Sequence, residues 1–196
     1  ETPAASADDD MFEDIPGGDE GPITRPKLKF EPIQAALYAA QASRLEWLVP
    51  NVVPAKGLTS VYGESGAGKS FFVMDMLVSM AEGSSWWGKA LRQKRVVYVA
   101  AEGAHGVRLR LQAIARRRGI DLDDLPLYVI AGQPNLLEAP DVKALIKAVR
   151  SIGGADVLVL DTISQVTPGA NENSSEDMGR AAKHGQTLQR VLDTAA

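Results

Sequence analysis

Leu58-Thr59-Ser60-Val61-Tyr62 runs into Gly63-Glu64-Ser65-Gly66-Ala67-Gly68-Lys69-Ser70 and then into Phe71-Phe72-Val73-Met74. An apolar β-type run breaks into glycines and enters a helical pattern. This is G-x-x-x-x-G-K-S in the context of strand, loop and helix that the motif requires. Polyphosphate can be wrapped by backbone N–H groups only where side chains do not obstruct the approach, and Gly63, Gly66 and Gly68 leave that room. The loop feeds a helix whose first N–H groups and positive dipole end favour an anion. Lys69 is then expected to reach the β- and γ-phosphates of ATP, and Ser70 to place its hydroxyl on Mg²⁺. The bland alternative, a Gly-rich turn before an ordinary helix, leaves the Lys-Ser pair unexplained.

Outward from this loop, Ser70 to about Glu82 forms the helix, apolar nearly all round and therefore packed on both sides. Its Met74, Met76 and Met80 read as core filler. Arg95 to Ala101 is a buried-strand pattern ending on Glu102, and a helix over about His105 to Arg118 follows, with Val107, Leu109, Leu111 and Ile114 on its buried side. Leu127-Tyr128-Val129-Ile130 is a strand, Asp141 to Ser151 a helix, and Asp156 to Leu160 a strand with Asp161 at its tip. Strand, helix, strand, helix, strand predicts an α/β fold, a parallel sheet with helices on both faces. Ligands of such sheets bind at the carboxyl ends of the strands, where Gly63, Glu102 and Asp161 all lie. Upstream, Glu31 to about Trp47 reads as a short amphipathic helix, and Trp47-Leu48-Val49-Pro50 and Val52-Val53-Pro54 as extended edge segments, since proline is excluded from central strands. Trp86-Trp87-Gly88 falls in the loop before the next strand. The rings either close a hydrophobic crossover, the preferred reading, or stack bases.

Composition narrows the function classes. The 196 residues are 45% hydrophobic, enough for one domain plus an arm, and no run approaches the ~20 apolar residues of a membrane span. With no cysteine and two histidines, disulfides and cysteine-ligated zinc or Fe–S sites are excluded. The acidic start is no signal peptide, so the expected location is cytoplasmic and membrane-free. The net charge of −4 is uneven: eight of the 25 acids lie in residues 1–20, which hold no base, leaving 17 acids against 21 bases beyond. Residues 1–28, with Asp8-Asp9-Asp10 and prolines 3, 16, 22 and 26, are expected to be a disordered acidic arm or linker, and residues 29–196 the ATPase domain.

Two acids carry the chemistry. Val157-Leu158-Val159-Leu160-Asp161 is an apolar strand delivering one carboxylate, the pattern of an acid that holds Mg²⁺ through water opposite a phosphate loop. Its alternative role is to cap the next segment with Thr162. ATP hydrolysis also needs a group that orients or deprotonates the attacking water. Thr162, not an acid, follows Asp161, so Glu102 is the candidate, with a contact to the dipole of the following helix as its alternative. The candidate catalytic residues are thus Glu102 and Lys69, and the metal ligands Ser70 and Asp161.

Leu58 to Phe71, the Val96-to-Glu102 strand ending in Ala-Ala-Glu-Gly, and Leu158-Val159-Leu160-Asp161-Thr162 together resemble RecA-fold ATPases. Within that fold the chain looks most like the ring-forming RepA-type replicative helicases of plasmids and phages, AAA-type ATP-binding proteins. The further detail is the tail, Asn171-Glu172-Asn173-Ser174-Ser175-Glu176-Asp177-Met178 followed by a helix. The resemblance implies a nucleotide site built from Gly63, Glu64, Ser65, Gly66, Ala67, Gly68, Lys69, Ser70 and Phe71, with Arg110 nearby. It implies a homo-oligomeric ring, a hexamer in the family, and single-stranded DNA facing the Gln165-to-Ser175 loop. It also implies a sensor strand ending in His-His between the phosphate-loop strand and the aspartate strand. The chain stops before such a strand, so its sheet is expected to have a gap there. Arg116, Arg117 and Arg118 are expected on a solvated basic face and His184 on the surface.

Three functions remain open on the residues alone: a DNA-dependent ATPase motor of phage, plasmid or mobile-element replication, a P-loop kinase, and a nucleotide switch or recombination mediator on DNA. The absence of an arginine-rich lid and the strand-tip Glu102 weigh against the kinase.

Overall fold

The computed structural model describes residues 29–41, 45–170 and 175–192. The acidic stretch 1–28 and Asn171 to Ser174 lie outside them. The chain divides into two compact units, residues 1–43 and 44–196. The first unit contains helix α1, Ala35–Ala40. The second holds β1 (Trp47–Val49), β2 (Val53–Pro54), α2 (Lys69–Glu82), β3 (Ser85–Trp86), β4 (Lys89–Ala90), β5 (Val96–Ala100), α3 (Ala104–Arg118), β6 (Leu127–Ala131), α4 (Ala139–Ser151), β7 (Val157–Asp161), α5 (Ile163–Val166) and α6 (Ser175–Leu192).

α1 is shorter than its apolar spacing predicts. Gln34 at its N-cap makes no side-chain cap, no residue of the helix is buried, and six residues fall well below the ~12–15 at which an isolated helix becomes even marginal. β1 and β2 pair antiparallel, as the two proline-bounded segments predict for an edge.

The main sheet is parallel, in the order β6-β5-β7, with Val96 opposite both Leu127 and Val157 and Ala100 opposite both Ala131 and Asp161. Every residue of β5 is buried, because helices cover both faces. Val96, Tyr98 and Ala100 face Met74, Leu77 and Met80 of α2 and Val107 of α3. Val97 and Val99 face Val142, Leu145 and Val149 of α4 and Leu188 of α6. A fully buried side chain of this size contributes about 1.5–3 kcal/mol, so Met74, Leu77 and Met80, all without exposed surface, anchor α2 firmly to the sheet.

α2 begins straight after Gly68 and ends at Gly83, both left-handed. At that end Gly83 N–H bonds Met80 O and Ser84 N–H bonds Ser79 O, which closes the last turn. A Cβ on Gly83 would stand 2.9 Å from the backbone N of Gln93, so the chain can turn here only without a side chain.

Four expectations need correction. Leu58 to Tyr62 joins no sheet ladder among the described residues, and Leu58, Val61 and Tyr62 are exposed. A strand exists only through a pairing neighbour, and the outer edge of β7 likewise has none among the described residues. The first turn of α2 is uncovered rather than packed all round, Phe71 being 61% exposed. On α3, Leu109 faces outward while Val107 is buried and Leu111 and Ile114 are partly so. His184 is half-buried, its Nδ1 bonded to Leu136 O, because α6 packs against α4 and turns that face inward.

Candidate nucleotide site

The loop Gly63, Glu64, Ser65, Gly66, Ala67 carries no regular structure, stays exposed and leads into the half-buried Gly68, Lys69 and Ser70. Gly66 and Gly68 have φ of +79° and +81°, and a Cβ at either would meet no protein atom within 4 Å. Within the protein the sign of φ, more than space, is what calls for glycine at these positions. Lys69 Nζ donates to Gly63 O and Glu64 O, each at 2.8 Å, so the loop's own carbonyls hold the ammonium over the loop. An ammonium has three donors, and two carbonyls leave one over.

Lys69, Ser70 and Phe71 form the first turn of α2. The first hydrogen bond back to the loop is Phe72 N–H to Gly68 O. The three preceding N–H groups precede any intrahelical partner, and Gly68 supplies no side-chain cap. A helix start with free N–H groups and a positive dipole end is an anion site.

Asp161 closes β7 and Glu102 lies two residues past Ala100, the partner of Asp161. Two carboxylates thus stand at the carboxyl ends of neighbouring parallel strands. Glu102 is exposed and its carboxylate has no hydrogen bond among the described residues. The N-cap of α3 is Gly103, which makes no side-chain cap, and Thr162, not Asp161, is the N-cap of α5, also without a side-chain cap. Neither carboxylate is spent on capping. Asp161 instead accepts from the hydroxyl of Tyr98 through Oδ2.

Tyr98 is the residue sequence reading missed. It has no exposed surface, and its phenol is pushed far above its ordinary pKa by burial first, then by the hydrogen bond and charge of Asp161, with Arg110 pulling the other way. The hydroxyl therefore remains a donor. No signal in the chain singles it out: in Val96-Val97-Tyr98-Val99-Ala100 the ring reads as one more core residue of a buried strand.

Arg110 of α3 lies against the first turn of α2. Its guanidinium stands 5.1 Å from the centre of the Phe71 ring. Phe71 in the first turn of α2 and Arg110 of α3 therefore stand together. Ser70 and Asp161 offer one hydroxyl and one carboxylate. That donor set fits Mg²⁺, which takes one or two protein oxygens and completes its shell from phosphate and water. Among the described residues no cluster of three His, Cys, Asp or Glu could form an all-protein metal site.

Other candidate features lie apart from this chemistry. Two surface depressions, one lined by Gln112, Arg116 and Ile120 and one by Arg95, Gly153 and Asp156, do not include the loop. Trp86 is buried, donates Nε1–H to Asp75 Oδ2 at 3.0 Å and stacks on Trp87 at 5.6 Å, whereas Trp87 is 78% exposed at the turn of the β3–β4 hairpin. The crossover reading thus holds for Trp86 alone. Arg118 is no solvated base either: it bonds Asp75, Ser79 and Glu82 of α2, while Arg116 and Arg117 are exposed.

Among the described residues no helix is long and apolar enough to cross a membrane. A family profile described as an AAA domain matches residues 24–196. No curated protein matches the chain.

Proposed function

The chain belongs to the AAA domain family, and from that premise we propose that it is a magnesium-dependent, ATP-hydrolysing motor of the RecA fold acting on DNA. The observation that carries this reading is the placing of Glu102 and Asp161 at the carboxyl ends of neighbouring parallel strands, Asp161 opposite Ala100 and Glu102 two residues beyond it, in a chain whose phosphate loop runs straight into α2.

The residues divide the work by their chemistry. Free N–H groups of the loop and of α2's first turn bind the phosphate oxygens, and Lys69 adds a point charge on the β/γ side. Phe71 and Arg110 present a flat, cationic surface beside the loop, suited to the nucleotide's base. Mg²⁺, when bound by Ser70 and Asp161, supplies charge neutralisation of the phosphates. Glu102 is positioned to accept a proton from water as the water oxygen bonds to the γ-phosphorus and the bond to the bridging oxygen breaks, releasing ADP and phosphate. An exposed, uncapped carboxylate is free to do this.

On the RepA-type reading the protein is a ring helicase of phage, plasmid or mobile-element replication, gripping single-stranded DNA. A sensor strand then lies between β7 and Leu58–Tyr62. The unpaired outer edge of β7 and the exposed Leu58, Val61 and Tyr62 support that placement.

The test is steady-state ATP hydrolysis with and without single-stranded DNA, alongside strand separation of a forked duplex. Stimulation with strand separation is expected. Stimulation without separation favours a DNA-bound nucleotide switch, and phosphate transfer to a small acceptor instead of water would replace the motor by a kinase.

A further inference from the structure

Tyr98 occupies the middle of β5, opposite Val159, two positions before the Ala100–Asp161 pair. In a parallel pair Tyr98, Ala100, Val159 and Asp161 share one face. A tyrosine can therefore reach diagonally forward to Asp161, and the small side chain of Ala100 leaves the path open. Its hydroxyl donates to Asp161 Oδ2.

We propose that Tyr98 is a positioning residue for Asp161, fixing Oδ2 so that Oδ1 is the oxygen left for water held by Mg²⁺. The proposal rests on the magnesium-nucleotide reading of the site. Two observations carry it. The ring has no exposed surface and is packed in the α2-facing core, so the hydroxyl is aimed by the core itself. Asp161 Oδ2 has no other hydrogen-bond donor among the described residues. A carboxylate on a strand end can rotate about its last bond. A buried donor on one oxygen removes that freedom, as outer partners do for metal ligands.

The experiment titrates Mg²⁺ against the full chain with a fluorescent ADP analogue, comparing the parent protein with Tyr98→Phe, and repeats the binding in EDTA. Tyr98→Phe keeps the ring and deletes the hydroxyl. The half-saturating Mg²⁺ concentration is expected to rise about 10-fold or more, the usual cost of losing an outer partner, while affinity in EDTA and the urea midpoint hold. In an Asp161→Asn background the same substitution should add no further shift. An unchanged Mg²⁺ midpoint in Tyr98→Phe overturns the positioning role while leaving the site reading intact. Equal losses with Mg²⁺ and in EDTA would make the hydroxyl merely structural, which also overturns it. If the parent chain binds the analogue with no Mg²⁺ dependence at all, the site reading fails and takes the proposal with it.

Discussion

At the scale of single residues, the proposed function assigns binding to Lys69 and turnover to Glu102. Lys69 gives two hydrogen bonds to its own loop, so Lys69→Ala removes both a phosphate ligand and a tether that shapes the loop. Loss of ATP hydrolysis with weakened nucleotide binding is expected, read by phosphate release and by calorimetry. Wild-type turnover in that variant would remove the phosphate-loop assignment. Glu102 holds up nothing structural that its exposure reveals. Glu102→Gln should therefore keep its affinity for ATP and its unfolding midpoint while hydrolysis falls by ~10²-fold or more, the usual share of a positioned base. A rate equal to the parent's would put the base on another residue. Lys69, Ser70, Asp161 and Glu102 were all legible as candidates from one-dimensional pattern, because each sits at a strand end or loop where neighbouring residues announce it. Tyr98 was not, since an aromatic in a buried strand reads as core until the register of the adjacent strand is known.

At the scale of elements, the fit of α2 against α3 depends on a charged knot. Arg118 bonds Asp75 Oδ1 and O, Ser79 Oγ and Glu82 Oε2, and Asp75 also receives Trp86 Nε1–H. Arg118→Met keeps the aliphatic stem but leaves these acceptors short of donors. It should cost about 1–3 kcal/mol, the penalty of a part-buried group left unpaired. Urea unfolding reads this as a lower midpoint at constant slope, and an unchanged midpoint would make the knot a surface ornament. Another junction responds to pH. Burial tends to raise the Asp156 pKa, but the Arg95 N–H and the Lys94 ammonium outweigh it and hold the carboxyl below its ordinary 3.8. A depressed folded pKa stabilises the fold fully above pH 3.8, and that contribution is lost as pH falls through the lower folded value. Asp156→Asn should be less stable than the parent at pH 7, with the gap closing below pH 3.8. A gap that stays constant with pH would show that Asp156 is not the titrating group.

For the whole molecule, β5 is paired on both sides and buried on both faces, whereas Leu58–Tyr62 has no ladder and β7 has one open edge among the described residues. Hydrogen exchange should be slowest in Val96–Ala100 and fast in Leu58–Tyr62, since local opening follows the number of buried contacts and paired groups. Slow exchange at Leu58–Tyr62 would mean that segment is paired in solution. Alternation, glycine placement and the spacing of apolar runs by themselves determined the α/β class and the parallel sheet of Val96–Ala100, Leu127–Ala131 and Val157–Asp161, and marked Lys69, Ser70, Glu102 and Asp161 as candidates. These are local properties, set by backbone φ and by which side of a strand or helix a residue occupies. Only the tertiary structure decided the rest: that Leu58–Tyr62 stays unpaired, that Arg118 faces α2 instead of water, that Trp87 is exposed while Trp86 is buried, and that Tyr98 reaches Asp161. Each of those depends on which element arrives alongside, and contacts such as Arg118–Asp75 and Tyr98–Asp161, 43 and 63 positions apart, leave no periodicity in the chain to read.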